Sequence, residues 1–307
     1  MAGGAPIAAL LEAGIETPLR LVDAATGHQL WSAADRAAIQ VFPDMDSAIF
    51  GSIAAIDLDA DGIHDRIYAG DIAGRLWRFD VHHGAEAGQW TSGGILADFT
   101  NNQGRGFIAS PDLVMSSPPG VPPWLNIAIG TAAPGNPSAS NRFYVVRDHA
   151  PFDTWSDDDF ESWKPVREED LMKVSTAQAS AEAANVVDPE MPGWYIELGS
   201  GHVIAPSITV NHRVVLGIAE AIPRTGPCEI LTRIASLELE QGRVVPEVSS
   251  PDKWTRLLPV PVLLSDRFEI GEVHGTVAPC SLGGQLVAAC DVDTRPRKTW
   301  WRREDAE

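Results

Sequence analysis

Four aspartates set at fixed intervals constrain this chain more than any other feature. Asp57, Asp59, Asp61 and Asp65 occupy relative positions 1, 3, 5 and 9 of one short turn, and Gly62 stands at position 6. Carboxylates on alternate residues of a curled backbone converge on one centre, and glycine permits the tight reversal between them. Four like charges so arranged repel one another unless a cation joins them, and oxygen ligands of this kind suit Ca²⁺. An acidic hairpin turn is the plainer alternative; it explains the glycine but not the spacing of the carboxylates. Position 12, where an EF-hand carries a bidentate Glu, is Tyr68. The flanks are not helical either: Ile53, Ile56 and Leu58 alternate before the loop, and alternation resumes around Gly70, Asp71 and Gly74. The loop is therefore expected inside a hairpin, between strands.

A second pattern extends that expectation to the whole chain. Gly27 precedes Leu30-Trp31 as Gly74 precedes Leu76-Trp77, with the two tryptophans 46 residues apart (77 − 31). A strand–turn–strand unit returning at that interval is the grammar of a propeller blade, in which the indole packs between neighbouring sheets. Ordinary hairpins with buried indoles are the alternative. The 307 residues would suit two average domains, yet repeated all-β architectures also run to this length as one unit. Further strands are predicted at 95–99, 124–130, 142–148, 193–198, 202–207, 208–210, 214–218, 230–239, 260–264, 272–278 and 285–289, separated by Gly- and Pro-containing turns. His212 falls at a turn, and His82-His83 reads as an exposed pair. Residues 1–18 form a lead or linker, and 19–307 the domain.

Between about 149 and 191 the composition turns acidic, then Ala-rich. This insert is expected to leave the sheets, first as solvated loop and then as a helical turn or two at 177–184. The neighbouring Asp157, Asp158 and Asp159 point in different directions and make a poor second cation site.

A net charge of −19 argues against nucleic acid, whose phosphates would be repelled. No 18-residue apolar run marks a membrane span. Cys228, Cys280 and Cys290 are too few for a disulfide framework; a Cys280–Cys290 hairpin bridge and buried free thiols are both open. The N-terminal stretch lacks a basic region and makes a poor signal peptide, so the chain is either cytoplasmic or the later part of an exported protein. Calcium favours the second reading, because external calcium suits sites of modest affinity.

The wording from Ile53 through Asp80 resembles the calcium-loop region of the PilY1-type C-terminal domain, a family of modified quinoprotein-like β-propellers on type IV pilus assembly and adhesion factors. The segment from Leu21 to Trp31, that from Gly193 to Cys228, and the tail around Trp300-Trp301-Arg302 are similar to the same family in the same order. The resemblance implies an all-β propeller with a calcium loop in a hairpin. It implies side-chain ligands from Asp57, Asp59, Asp61 and Asp65 and a backbone carbonyl from Ile63, with Asp71 either structural or supporting the ligands from behind. It also implies pilus partners (pilins and minor pilins), a place on the cell surface or in the periplasm, and a role in pilus extension and retraction, surface motility or adhesion. The chain starts near the middle of the family's usual length, which points to an incomplete propeller with an exposed edge for another chain or a separately encoded N-terminal part.

Two other function classes stand beside this one. A generic interaction scaffold would share the fold. A quinoprotein-type dehydrogenase would share fold and calcium but needs a cofactor-gripping pocket and a carboxylate base, and no Gly-x-Ser-x-Gly, His-Glu-x-x-His or phosphate-cradling loop is present. The expectation is a protein without catalytic residues or an organic cofactor.

Overall fold

A computed structural model describes residues 19–22, 26–34, 40–62, 64–82, 90–100, 104–133, 135–136, 138–174, 187–222, 229–243, 261–264 and 267–270. The first sheet holds β1 (Leu19–Val22), β2 (Gln29–Ala34) and β3 (Gln40–Val41). The second is an antiparallel meander of β4 (Ala54–Ile56), β5 (Arg66–Gly70), β6 (Arg75–Val81) and β7 (Thr91–Asp98), paired in chain order. The third is built on β10 (Trp124–Ala132), which pairs with β8 (Gly106–Phe107), β9 (Asp112–Ser116) and β11 (Asn141–Asp148). Beyond β11 lie β13 (Gly193–Gly199) and, parallel to it, β12 (Met172–Lys173). A fourth sheet comprises β14 (Ile208–Val210), β15 (Arg213–Ile222) and β16 (Glu229–Glu238), and a hairpin of β17 (Pro261–Leu264) and β18 (Arg267–Ile270) follows.

The two middle sheets are buried on both faces, and strand alternation decides what each face meets. In β5 and β6, Ile67, Trp77 and Phe79 pack with Trp31 and Ala33 of the first sheet. On the opposite face, Tyr68 and Leu76 pack with Leu125, Ile127, Ile129, Tyr144 and Val146 of the third. The third sheet repeats the arrangement one layer on, with Phe143, Val145, Trp194 and Ile196 meeting Val214, Leu216, Ile218 and Leu237. Each core thus lies between consecutive sheets, as blades pack in a propeller.

The two Leu-Trp tryptophans both pack between neighbouring sheets, as expected, but they enter one interface from its two sides and so do not occupy equivalent places in successive blades. Trp31 and Trp77 are both fully buried in the core shared by the first two sheets. Phe79 is packed against both, edge-on to Trp31 at 5.7 Å and stacked with Trp77 at 6.2 Å between ring centroids. Each indole N–H is satisfied, by Gln40 Oε1 at 2.9 Å and Asp71 Oδ2 at 3.1 Å respectively, as a buried indole requires.

The acidic insert differs from expectation in its first half. It contains the helix α1 (Asp157–Ser162), started by Ser156, whose hydroxyl accepts from the Asp159 N–H while the Asp159 carboxylate takes the Ser156 N–H. This is a reciprocal capping box, and the acidic first turn also suits the positive end of the helix. Phe160 points inward and packs against Trp155, so the segment docks on the body as well as facing solvent. The predicted helical turn at 177–184 lies outside the described residues, as do the strands predicted at 272–278 and 285–289, all three cysteines and His83. His82 Nε2 lies 3.0 Å from Ser92 Oγ. Among the described residues, no helix is long and apolar enough to cross a membrane.

Candidate metal centre

The aspartate-rich turn is the connection between β4 and β5. Ile56 pairs with Arg66, and the Asp65 N–H donates to the Ile56 carbonyl at 2.8 Å, so the hairpin closes at residues 56 and 65. Between them the backbone curls over the first carboxylate. Asp57 Oδ1 accepts from the Ala60 N–H at 2.7 Å and Oδ2 from the Gly62 N–H at 2.8 Å, while Asp59 Oδ1 accepts from the Asp61 N–H at 3.0 Å. Gly62 has φ of +93°, and a Cβ there would meet nothing within 4 Å. Backbone conformation, not space, therefore calls for glycine at this point.

Oxygens of Asp57, Asp59 and Asp61 lie within 4.8 Å of one another, with Asp57 half-buried and the other two exposed. Asp65 is outside that trio, and its Oδ2 accepts from the Leu58 N–H at 2.7 Å across the loop base. Ile63 lies outside the described residues. Desolvation raises the Asp57 pKa, but the N–H groups of Gly62, Ala60 and Asp61 outweigh it and hold the carboxyl below the usual aspartate range. The group is thus an anion, as a hard-cation ligand must be. Three converging carboxylates, two of them open to water, are a donor set that fits Ca²⁺ with further oxygen ligands from solvent or backbone.

Below the loop sits a group of charges that no spacing rule identifies. Arg66 directly follows Asp65, donates from Nη1 to the Asp65 carbonyl at 2.9 Å, and turns its Nε to Asp80 at 3.3 Å. Arg78 is completely buried: Nε reaches Asp80 at 2.7 Å, Nη1 reaches Asp148 at 2.9 Å, and the guanidinium lies 4.2 Å over the Trp155 ring. Tyr68 donates its hydroxyl to Asp148 at 2.7 Å. Burial, then the Asp148 charge, push the Tyr68 phenol well above its ordinary value. Tyr68 replaces the EF-hand Glu with a link into the protein interior. Arg78 also donates to the carbonyls of Ala150 and Asp153, and the Trp155 N–H donates to Asp80. The network therefore joins the loop's exit strand to β11 and the acidic insert. One signal was available in the sequence: Arg66, Tyr68, Arg78 and Asp80 fall at period two on strands whose neighbouring residues are apolar, and β5–β6 pairing sets Arg66 opposite Asp80 and Tyr68 opposite Arg78.

Asp71 is structural, one of the two roles that the resemblance implies. Its Oδ1 accepts from the N–H groups of Ala73, Gly74 and Arg75, and Oδ2 binds Trp77 Nε1 and Arg75 Nε. Arg75 also reaches the Asp44 carbonyl and Asp46, fastening the β3–β4 connection. Gly74 has φ of +100° in this turn, and a Cβ on it would lie 3.2 Å from the carbonyls of Arg105 and Phe99.

No family model matches the chain, and no curated protein matches it. Among solved structures, the Pseudomonas aeruginosa PilY1 C-terminal domain superposes over 82% of this chain with a TM-score of 0.56 at 15% sequence identity. The fold is that of the PilY1 C-terminal domain. The chain spans 59% of that domain's length. In the PilY1-type fold of this chain, the stacked sheets are propeller-like blades, and the aspartate loop is a hairpin of the second sheet.

Proposed function

We propose that this chain is a calcium-binding, non-catalytic propeller module of the type IV pilus system, working outside the cytoplasm. The observation that carries the proposal is the convergence of Asp57, Asp59 and Asp61 within 4.8 Å on a hairpin of a PilY1-type fold. The sequence resemblance supports the pilus setting, with pilins, minor pilins or a separately encoded N-terminal part as partners.

The residues act on the ion and on the loop. Asp57, Asp59 and Asp61 supply anionic oxygens; the Ile63 carbonyl and the second oxygen of Asp65 complete the proposed set. Bound calcium supplies positive charge that cancels repulsion among the carboxylates. The loop then has one favoured shape, and Arg66 passes that order to the ion network beneath it. A ligand that binds only the ordered form stabilises it by mass action.

Calorimetric titration of the full chain with Ca²⁺, repeated on the Asp59→Asn/Asp61→Asn variant, tests the metal assignment. Calcium should raise the melting temperature of the parent and leave the variant unchanged. Equal affinity and equal melting shifts in both would reject it. Capture of pilins by the calcium-loaded chain, and failure of the variant to capture them, tests the pilus assignment; capture unaffected by calcium would separate the scaffold from the metal.

A further inference from the structure

The connection from β13 to β14 runs between the third and fourth sheets and bonds to both. His202 and Ala219 exchange two backbone hydrogen bonds, each 2.8 Å, and the Val203 N–H donates to the Thr131 carbonyl at 3.1 Å. The approach to β10 is close: a Cβ on Gly130 would lie 2.3 Å from Val203 Cβ. His202 is therefore fixed to the fourth sheet by its backbone, while its side chain turns to the loop end of the β10–β11 hairpin, where β10 ends and β11 begins.

There Nδ1 faces two N–H donors, the Ala133 backbone nitrogen at 3.3 Å and Asn141 Nδ2 at 3.2 Å. Thr131 Oγ1 donates to Asn141 Oδ1 at 3.2 Å and so favours this orientation of the amide. Were the amide reversed, the Ala133 N–H would still point at Nδ1, and a backbone donor cannot exchange roles. A ring nitrogen that accepts a hydrogen bond carries no proton, so the neutral ring holds its proton on Nε2. Burial depresses the imidazole pKa below its usual value, in agreement with a position that has no use for the charged form. Charged groups near this junction include Glu220 on the β15 side, whose Oε1 would lie 3.2 Å from a Cβ on Gly201, and Arg142, the neighbour of Asn141 on the hairpin side. Arg142 is engaged by Ser140, Glu168 and Glu197.

We propose that His202 is an acid-sensitive latch between the third and fourth sheets: neutral, it ties the strap to the β10–β11 hairpin, and protonated on Nδ1 it meets two donors and lets the strap go. The inference is independent of calcium and of the pilus assignment. Its direction follows from linkage. The folded-state value is depressed, so the open form takes up the proton first. The latch is at full strength above about pH 6.5, the ordinary histidine value, and weakens as pH falls from there toward the folded-state value. Between those two values the opening equilibrium rises by up to about tenfold per pH unit.

Imidazole nitrogen spectra of the full chain from pH 8 to 5, with amide exchange at Ala133, Val203 and Ala219 corrected for intrinsic rates, test the latch. His202→Asn serves as the comparison, because its Oδ1 can accept from the same donors and does not titrate. The expected result is an Nε2–H tautomer that titrates below the ordinary histidine value. The three amides should lose protection as the parent is acidified and keep it in His202→Asn. A parent His202 that titrates at or above the ordinary value, an Nδ1–H tautomer, or a variant with the parent's pH slope would overturn the proposal. If the variant fails to fold, the tautomer and titration of the parent decide alone, with the ring assigned by its proximity to Ala133 and Val203.

Discussion

The aspartate loop and the charge network beneath it are separated by one residue, the step from Asp65 to Arg66, and they manage negative charge in opposite ways. In the network, Asp80 and Asp148 are buried and meet the guanidinium groups of Arg66 and Arg78. In the loop, Asp57 and Asp59 take backbone N–H groups, and the cluster of three faces water. Burying a carboxylate costs several kcal/mol unless a fixed partner offsets it, so the interior pairs must be complete within the chain. An exposed carboxylate carries no such penalty, which leaves its charge open to an exchangeable ion. Position relative to solvent separates a permanent brace from a cluster of carboxylates that faces water.

The largest effect should come from breaking the brace. Arg78→Met leaves Asp80 and Asp148 short of their main cation and should destabilise the fold by about 3–5 kcal/mol, read from chemical denaturation. A loss below about 1 kcal/mol would mean that Arg66 and Tyr68 suffice. Next comes the ion: at a hundred times its dissociation constant, calcium should add about 2.7 kcal/mol to the parent, and chelation should remove it. The Asp59→Asn/Asp61→Asn protein should show no such difference, and its stability without calcium should equal or exceed the parent's because two repelling charges are gone. A smaller change is expected for Tyr68→Phe, which removes one hydrogen bond to Asp148 while Arg78 remains; about 1–2 kcal/mol should be lost, with calcium affinity little altered. A large fall in calcium affinity in that variant would show that network and loop are tightly coupled.

The last test uses alkali. Burial, reinforced by Asp148 at Tyr68 and by Glu168 at Tyr144 and Tyr195, raises all three phenols above their usual value. The folded state then keeps phenolic protons that the unfolded chain loses above about pH 10. Their contribution to stability is present below that pH and is lost as pH rises. Tyrosinate absorbance from the two fully buried rings, Tyr68 and Tyr144, should appear together with the loss of near-ultraviolet dichroism; all three rings ionising at the free-tyrosine pH while the fold persists would contradict the environments assigned to them.

Much of this was legible along the chain. The Leu-Trp pattern marked both indoles as packed between sheets, although they face each other across one interface and are not equivalent positions of a repeated unit. The strand candidates at 124–130, 142–148 and 208–210 correspond to β10, β11 and β14 because their apolar runs are bounded by turns. The alternating flanks around the aspartates placed the loop in a hairpin, where β4 and β5 hold it. The acidic residues of the docked helix have the composition of a solvated loop, whereas in the fold Ser156 and Asp159 form a capping box and Phe160 supplies the anchor. Arg78 with Asp148, and His202 with Ala133, were not visible because their partners are distant in sequence and each pair requires sheets to have stacked first.

By itself the sequence determined what is local and periodic: strands, turns, and an acidic loop whose four carboxylates lie within nine positions of each other. Only the tertiary structure decided which charges are sealed and which are open. It did so by placing one face of β5 and β6 against the third sheet, where water is excluded and charges must find partners within the protein, and by leaving the β4–β5 turn at the surface. The same carboxylate chemistry therefore serves as a brace inside and as a candidate calcium site one residue away.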